Sequence, residues 1–439
     1  MKKATNIKNL LDKYYVLALL ILMLCILVGV SIVYYSQLKH HPYYKNPEAV
    51  QGVFDYSDID FNNQKYTGLR GEVEFYWDRL LTPEDLENKS DSLQARYVEI
   101  PEAWNKIKVE GEKIGNQGYG TYHFKILVNS PGLYSLKIKE FESAFRIWIN
   151  STDHGGAGTV ATNKKDMVPS WRRQEFNFYV DNDSVDVILQ ISNYQHRLGG
   201  ASELMLFGLE RSIRRVKMLR VIIEAFLMGI LAILLIYHLT IYHYRRVDRS
   251  VYYFSLTALF FILRMSTTGE KLLLDFFTFI PWSVTTRIEY ISIPLIGYAL
   301  INFIYYLLPQ NIPIWFRRSV NAQALFLSVA IIFLPVSIFS YMALITPFLV
   351  AYLIIGLFIF LLKAVIQKKK NAHGLFWGFM MLFITMVNDV LLYLNVIESS
   401  YLLPFGLITL ILMQAFIISR NSSLAYLQVE KLSERLEKH

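Results

Sequence analysis

The sequence predicts a multi-pass membrane protein in four parts: an N-terminal signal-anchor helix over 1–35, a β-sandwich over 36–218, a seven-helix transmembrane bundle over 219–419, and a short coiled-coil stub over 420–439. Three observations carry this. Hydrophobic residues make up 54% of the chain, charged residues only 18%, and mean hydropathy is +0.31, which is too apolar for a soluble chain of 439 residues. The apolar residues fall in runs of bilayer length after 219 and alternate with polar ones before it. The Lys and Arg residues that give a net charge of +8 sit at the ends of the apolar runs, where they set orientation, so nucleic acid is not an expected partner.

Residues 1–14 carry four lysines and lead into YVLALLILMLCILVGVSIVYYS. This run of about 20 residues is longer than the h-region of a cleaved signal, and no A-x-A site follows, so an uncleaved anchor is expected. Cys25, the single cysteine, lies inside it, which leaves the following domain without disulfides or thiolate metal sites.

Between 36 and 218 the pattern changes to alternating strands: TYHFKILV (121–128), GLYSLKIKEF (132–141), AFRIWIN (144–150), EFNFYV (175–180), VDVILQISNY (185–194) and ELMLFGLE (203–210). Turn clusters NSPG (129–132), HGGAG (154–158) and DNDS (181–184) separate them, the pattern of an antiparallel sandwich. Thr82, Pro83 and Glu84 open a capped short helix.

From 219, apolar runs near 219–242, 251–267, 288–308, 320–339, 341–363, 374–395 and 401–419 each have roughly the 17–25 residues needed to span hydrocarbon. With the β domain outside, every inside connection carries Lys or Arg: HYRRVDRS (243–250), LPQNIPIWFRRS (308–319), QKKKNAHG (367–374) and the tail from Arg420. The outside connection 267–287 is amphipathic, with Phe276, Phe277, Phe279 and Trp282. It reads either as an interfacial anchor or as a lid that senses the β domain or a ligand. In the tail, Ala425, Val429, Leu432 and Leu436 fall at spacings of 4, 3 and 4, an a/d seam for a cytoplasmic coiled coil or a solvated terminal helix. The seam makes a homodimer the expected assembly.

No phosphate loop, zinc pair or nucleophile elbow is present, and the nine histidines are scattered. An enzyme is not expected, nor is a cofactor or a metal.

The order of exported sandwich, seven helices and short coiled coil resembles bacterial receptors with seven transmembrane helices and diverse intracellular signalling modules. The strings that carry the likeness are FILRMSTTGE (261–270), PWSVTTRIEYISIPL (281–295) with LLP (307–309), NDVLLYLNVI (388–397) and VEKLSERLE (429–437). The exported domain resembles the sugar-binding jelly-roll of glycoside hydrolase family 2, a galactose-binding-like fold, through GYGTYHFKI (118–126), FRIWIN (145–150), ILQISNY (188–194) and RLGGASELMLFG (197–208). The hydrolase's catalytic barrel has no counterpart here. The resemblance implies a plasma-membrane receptor that passes an extracellular signal, with a carbohydrate or cell-wall fragment as the candidate ligand, to a cytoplasmic effector. Receptors of that kind continue into a kinase, cyclase or phosphatase module, whereas this sequence ends at His439, so it is expected to be either a fragment of such a receptor or one whose output passes to a separate partner protein.

Two groups of candidate site residues follow. In the β domain, Tyr119, Trp148, Asn150, His154, Trp171, Arg172 and Arg197 supply the aromatic planes and polar forks of a sugar-type face, the alternative being ordinary core and loop positions. In the helices, Glu224, Arg264, Glu289, Asn388 and Asp389 fall at similar depth. An isolated charge at mid-bilayer costs about 2.5–3.5 kcal/mol on insertion scales, so Arg264 is expected to pair with Glu289 or Asp389, as an outward pocket or as a structural ion pair. A transporter or channel, and a non-signalling glycan-binding surface module, are the rival readings.

Overall fold

The computed structural model describes residues 47–437 except 65, 89–94, 110, 139–140, 142, 172–173, 245, 247–248, 309, 370–371 and 394–401. The expected signal-anchor helix lies outside the described residues.

The N-terminal domain contains strands β1 (Val53–Tyr56), β2 (Tyr66–Gly68), β3 (Gly71–Trp77), β4 (Arg96–Ile100), β5 (Lys108–Val109), β6 (Glu112–Lys113), β7 (Gly118–Val128), β8 (Gly132–Ile138), β9 (Ala144–Ile149), β10 (Thr152–Ala157), β11 (Gln174–Val180), β12 (Ser184–Asn193) and β13 (Leu206–Leu209). The larger sheet runs β10-β9-β12-β7-β3-β4, with β1 parallel to the end of β7, and the smaller runs β11-β8-β13-β2. Alternation places every second side chain inward: Tyr122, Phe124 and Ile126 from one sheet meet Tyr134, Leu136 and Phe207 from the other in one core. Tyr134 stacks on Phe207 with centroids 5.3 Å apart, and the buried Trp104 donates its indole N–H to Tyr122 Oη at 2.8 Å. Burying one such ring contributes about 1.5–3 kcal/mol, and this dense aromatic packing does the work that disulfides do in smaller exported domains.

One local expectation changed. The glycines of HGGAG do not form a turn. They belong mostly to β10, an edge strand whose pairing with β9 shifts register between Asp153 and Gly156. The side-chain-poor run hid a strand because it lacks the alternation that marks one. Helix α1 (Pro83–Glu87) forms as expected, with the Thr82 N–H and hydroxyl both donating to Asp85 Oδ2, at 2.8 and 2.7 Å.

The helical domain comprises α2 (Glu210–Tyr244), α3 (Arg249–Thr267), the short α4 (Leu272–Phe276), α5 (Trp282–Leu307), α6 (Ile314–Phe333), α7 (Thr346–Ile366), α8 (Ala372–Tyr393) and α9 (Leu403–Glu437). Seven of these, among the described residues, have 19 residues or more. Among the described residues, three helices, α2, α5 and α7, are long and apolar enough to cross a membrane. Apolar residues of the other long helices join the same core as those of α2, α5 and α7.

Two features bear on function. Strand β13 ends at Leu209 and α2 begins at Glu210, so sandwich and helix are joined without a linker, and the helix starts ahead of the expected boundary at 219. At the other end α9 runs unbroken through 420–437; its 35 residues rise about 50 Å, well past the ~30 Å of a hydrocarbon core.

Candidate functional site

The sandwich rests on one end of the helices, and the contact is built around a lysine that alternation alone would place in water. In β8, Tyr134, Leu136 and Ile138 point into the core, so Lys137 points away from it. That face is covered by the start of α2 and by the turn 268–271, and Lys137 is only 1% exposed. Its Nζ lies 3.1 and 3.0 Å from the two carboxylate oxygens of Glu270, itself buried. Glu175, directly across from Lys137 on β11, is 3.5 Å away and also faces Lys217 at 3.6 Å, while Arg220 stands 3.8 Å from Glu270. Burial pulls the Lys137 amine below its ordinary range, and the Glu270 carboxylate pulls it back up.

Glu270 is delivered by a tight turn. Gly269 (φ 62°) and Lys271 (φ 56°) flank it in left-handed conformations. The backbone N–H of Glu270 donates to both oxygens of Glu224 on α2, at 3.1 and 3.0 Å. A side chain at Gly269 would overlap that same carboxylate. Lys271 lies with Nζ 3.3 Å from the centroid of the Trp171 ring, a cation–π contact, and 3.7 Å from Glu289 Oε2. Arg264 Nη1 stands 3.6 Å from Glu289 Oε1 and donates to the Glu289 carbonyl at 2.9 Å. One turn thus grips the sandwich through Lys137 and Trp171, and three helices through Glu224, Arg264 and Glu289.

A second contact lies beside the first. Trp171 meets Trp282 edge-on, centroids 6.1 Å apart, in an apolar cluster with Leu327, Ile331, Val336 and Phe339. His196 Nδ1 accepts the Leu198 N–H at 3.2 Å, which leaves Nε2 as the N–H facing Tyr290 Oη at 3.2 Å. The Arg197 backbone N–H donates to Ser340 Oγ at 3.2 Å. Between the two contacts is a cleft of about 220 Å³, lined on the sandwich side by Gly156, Ser170, Trp171 and Gln174 and on the helical side by Thr278, Ile280, Trp282 and Thr285 among others.

Burial, with the positive charge of Arg197 and Lys271, holds His196 down at about 3. Its folded value is depressed, so its stabilising contribution is present above the ordinary histidine value of 6.5 and is lost as pH falls toward 3. The stability difference between wild type and His196→Gln should therefore shrink between pH 6.5 and 4, at up to about 1.4 kcal/mol per pH unit. Denaturant midpoints measured at several pH values check this; a pH-independent difference contradicts it.

On the far face of the larger sheet, His123 sits between Glu74 Oε2 (Nδ1, 2.8 Å) and Asp186 Oδ1 (Nε2, 3.0 Å). Burial alone would lower its pKa, but hydrogen bonds to and charge from Asp186 and Glu74 prevail and push it up to about 9. This raised value contributes stability that is complete below 6.5 and lost as pH rises through 9. His123→Gln should be most destabilising near pH 6, less so as pH rises toward 9, and close to wild type above pH 10, measured the same way.

The residues singled out in the sequence do not form one sugar-type face. Trp148 is on the outer face of its sheet but buried under Leu81 and Leu86, with Arg146 5.1 Å from its ring. Asn150 is a turn residue (φ 48°) whose Oδ1 accepts the Asp186 N–H at 2.9 Å. His154 packs edge-on against Phe176 and Phe178, and burial lowers its pKa. Tyr119 is half-buried on β7 opposite Ser192. Only Trp171 and Arg197 reach the junction, and Arg172 lies outside the described residues. In the helices, Glu224, Arg264 and Glu289 converge on the 268–271 turn, while Asn388 is half-buried on α8. The Asp389 side chain lies outside what is described, as do those of Ala425 and Leu432; Val429 and Leu436 are exposed along α9.

Residues 220–421 match the family model described as 7TM diverse intracellular signalling. The helical domain is similar to that family over those residues. The junction is therefore the place where the sandwich meets the helices that match this model. No curated protein matches the chain. Among solved structures, the chain is similar to a GH2 β-galacturonidase from Eisenbergiella tayi (9% identity, TM-score 0.23, 33% of this chain and 24% of that one). It is likewise similar to a glycosyl hydrolase family 2 member from Bacteroides cellulosilyticus (13%, TM-score 0.24, 33% and 20%) and to a β-glucuronidase from Ruminococcus gnavus (10%, TM-score 0.24, 33% and 29%). The chain thus spans less than a third of the length of each.

Sequence reasoning missed Lys137, Glu270 and Lys271. The available signal was two adjacent opposite charges after a glycine, inside an otherwise apolar connection. It also missed a polar cluster at the other end of the bundle, where the fully buried Asn302 takes a hydrogen bond from Arg317 Nε (2.8 Å) and gives one to Asn321 Oδ1 (2.8 Å).

Proposed function

We propose that the chain is a transmembrane sensory receptor of the plasma membrane, with the sandwich extracytoplasmic and the far ends of the helices, including residues 420–437, cytoplasmic. A ligand, with a carbohydrate or cell-wall fragment as the candidate class, shifts how the sandwich sits on the helices. The 268–271 turn passes that shift to α2, α3 and α5, and the extended α9 presents it, as a homodimer contact, to a kinase-, cyclase- or phosphatase-type effector. The observation that carries this reading is the buried Lys137–Glu270 pair. A surface anchor would need only a tether, whereas here an ion pair between sandwich and helices is fully desolvated and tied to three helices at once. Such a pair is poor as a stabiliser relative to apolar packing but well suited to holding one of two arrangements.

The reading is tested by hydrogen exchange over 420–437 in the whole protein in lipid nanodiscs. Glu270→Gln should alter protection there, although the substitution is at the opposite end of the molecule. Identical exchange in variant and wild type would contradict a relay.

A further inference from the structure

We propose that Arg249, Tyr306 and Arg317, at the end of the bundle away from the sandwich, bind one phosphate group, as the headgroup of an acidic lipid or as the free ion. Arg249 is the first residue of α3, Tyr306 the last but one of α5, and Arg317 the fourth of α6. The other ends of α3 and α5 adjoin the 268–271 turn and Trp282. The 19 residues of α3 rise about 28 Å, so the cluster stands one hydrocarbon thickness from the junction. That is the level of lipid headgroups, and Trp315 is exposed there in the manner of an interfacial tryptophan.

Three observations make this a built site and not a scatter of loop charges. Both guanidinium groups converge on one atom: Arg249 Nη1 and Arg317 Nη2 donate to Tyr306 Oη at 3.2 and 3.4 Å. With both neighbours donating, the hydroxyl's own proton has no acceptor among the described residues, nor has Arg317 Nη1. Arg317 is also fixed in place. Its Nε donates to Oδ1 of the fully buried Asn302 at 2.8 Å, its Cζ lies 4.2 Å from the Tyr305 ring centroid, and Tyr306 stacks on Tyr253 with centroids 5.4 Å apart. Lastly, neither arginine pairs with a carboxylate among the described residues. In sequence, the segments 243–250, 308–319 and 363–374 hold nine Lys and Arg against one acid, Asp248.

Two cations drawn to one phenol oxygen repel each other, and both stand in the first turn of a helix, where the macrodipole disfavours positive charge. An anion between them reverses both effects. Phosphate matches the donors, since its several acceptor oxygens can meet two guanidinium forks and a hydroxyl together, as in other basic pockets between transmembrane helices. The occupant would tie α3, α5 and α6 at the end opposite the 268–271 turn. The headgroup depth rests on the membrane placement proposed above, whereas the binding is independent of any relay.

The test is native mass spectrometry of the full chain in a non-ionic detergent, titrated separately with dioleoyl phosphatidylglycerol, dioleoyl phosphatidylcholine and ammonium phosphate. If the headgroup is the ligand, one phosphatidylglycerol per chain binds saturably and about tenfold more tightly than phosphatidylcholine; if the free ion is, a single phosphate adduct forms and the two lipids are equal. In either case Arg249→Gln and Arg317→Gln should each weaken binding about tenfold, the loss expected for one charge-assisted hydrogen bond. Arg317→Lys, which keeps the charge without the fork, should recover only part. Arg318→Gln removes an exposed neighbouring charge and should change nothing. Arg249 is exposed at a helix end, so its variant decides the matter if an Arg317 variant fails to fold. The proposal is overturned if neither phosphatidylglycerol nor phosphate binds in a way that depends on Arg249. It is equally overturned if Arg318→Gln weakens binding as much as the other two, which would show only general attraction to a basic surface.

Discussion

Glu270→Gln lowers stability by about 3–5 kcal/mol, the cost of leaving a buried partner charge uncompensated. Lys137 is 1% exposed and sees Glu270 at 3.0 Å and Glu175 at 3.5 Å, so removal of the nearer charge leaves an ammonium whose burial already disfavours the charged form. Lys137→Met does comparable damage from the other side, since Glu270 then loses the cation at 3.0 Å, and Arg220 stands farther off, at 3.8 Å. The two losses do not add. With both replaced the two positions are apolar while Glu175 keeps Lys217 at 3.6 Å, and Lys137→Met combined with Glu270→Leu should recover part of the stability. Denaturant midpoints for the four proteins give the coupling energy. Additive losses would mean that the pair does not act as a unit.

The second large effect is at Gly269. Valine there meets two penalties: a β-branched residue at φ 62°, which costs about 1–2 kcal/mol, and displacement of the Glu224 carboxylate from the Glu270 N–H, worth about 1–3 kcal/mol. The expected total is about 2–5 kcal/mol. The two are separable, because in a Glu224→Ala background the second is already spent and Gly269→Val should cost only the backbone part. An equal cost in both backgrounds would show that Glu224 is not what the glycine makes room for.

How far the sequence reaches is clearest from particular residues. The β7, β8 and β12 strands were legible because period-2 alternation is a local property, and the long helices because apolar length is another. β1 to β4 are missed as strands and β10 reads as a turn: β1, β2 and β4 are short or lie at sheet edges and β10 is a glycine-rich edge, whereas the seven-residue β3 lies inside the larger sheet, between β4 and β7. Glu224, Arg264 and Glu289 were legible as charges in apolar context, a pattern that announces a need for partners without saying which. Lys137 was invisible for the opposite reason. On a strand's polar face a lysine is unremarked, and only the tertiary placement of the 268–271 turn buries it. Trp148 and His154 carried the chemistry of a sugar site but were taken up by packing, while Trp171, chosen on the same grounds, became part of an interdomain wall.

The central claim is that the sandwich-side junction and the far end of α9 are energetically linked. Its most direct test is the distance between spin labels at Tyr244, at the end of α2, and Tyr426, on α9, both exposed and distant from the junction. The labels are placed in a Cys25→Ser background in lipid nanodiscs, with Lys137 and Glu270 intact or replaced together by Met and Leu. A shift in the distance distribution on replacing the pair is the predicted result. Superimposable distributions, in proteins that both retain the folded sandwich, would contradict it.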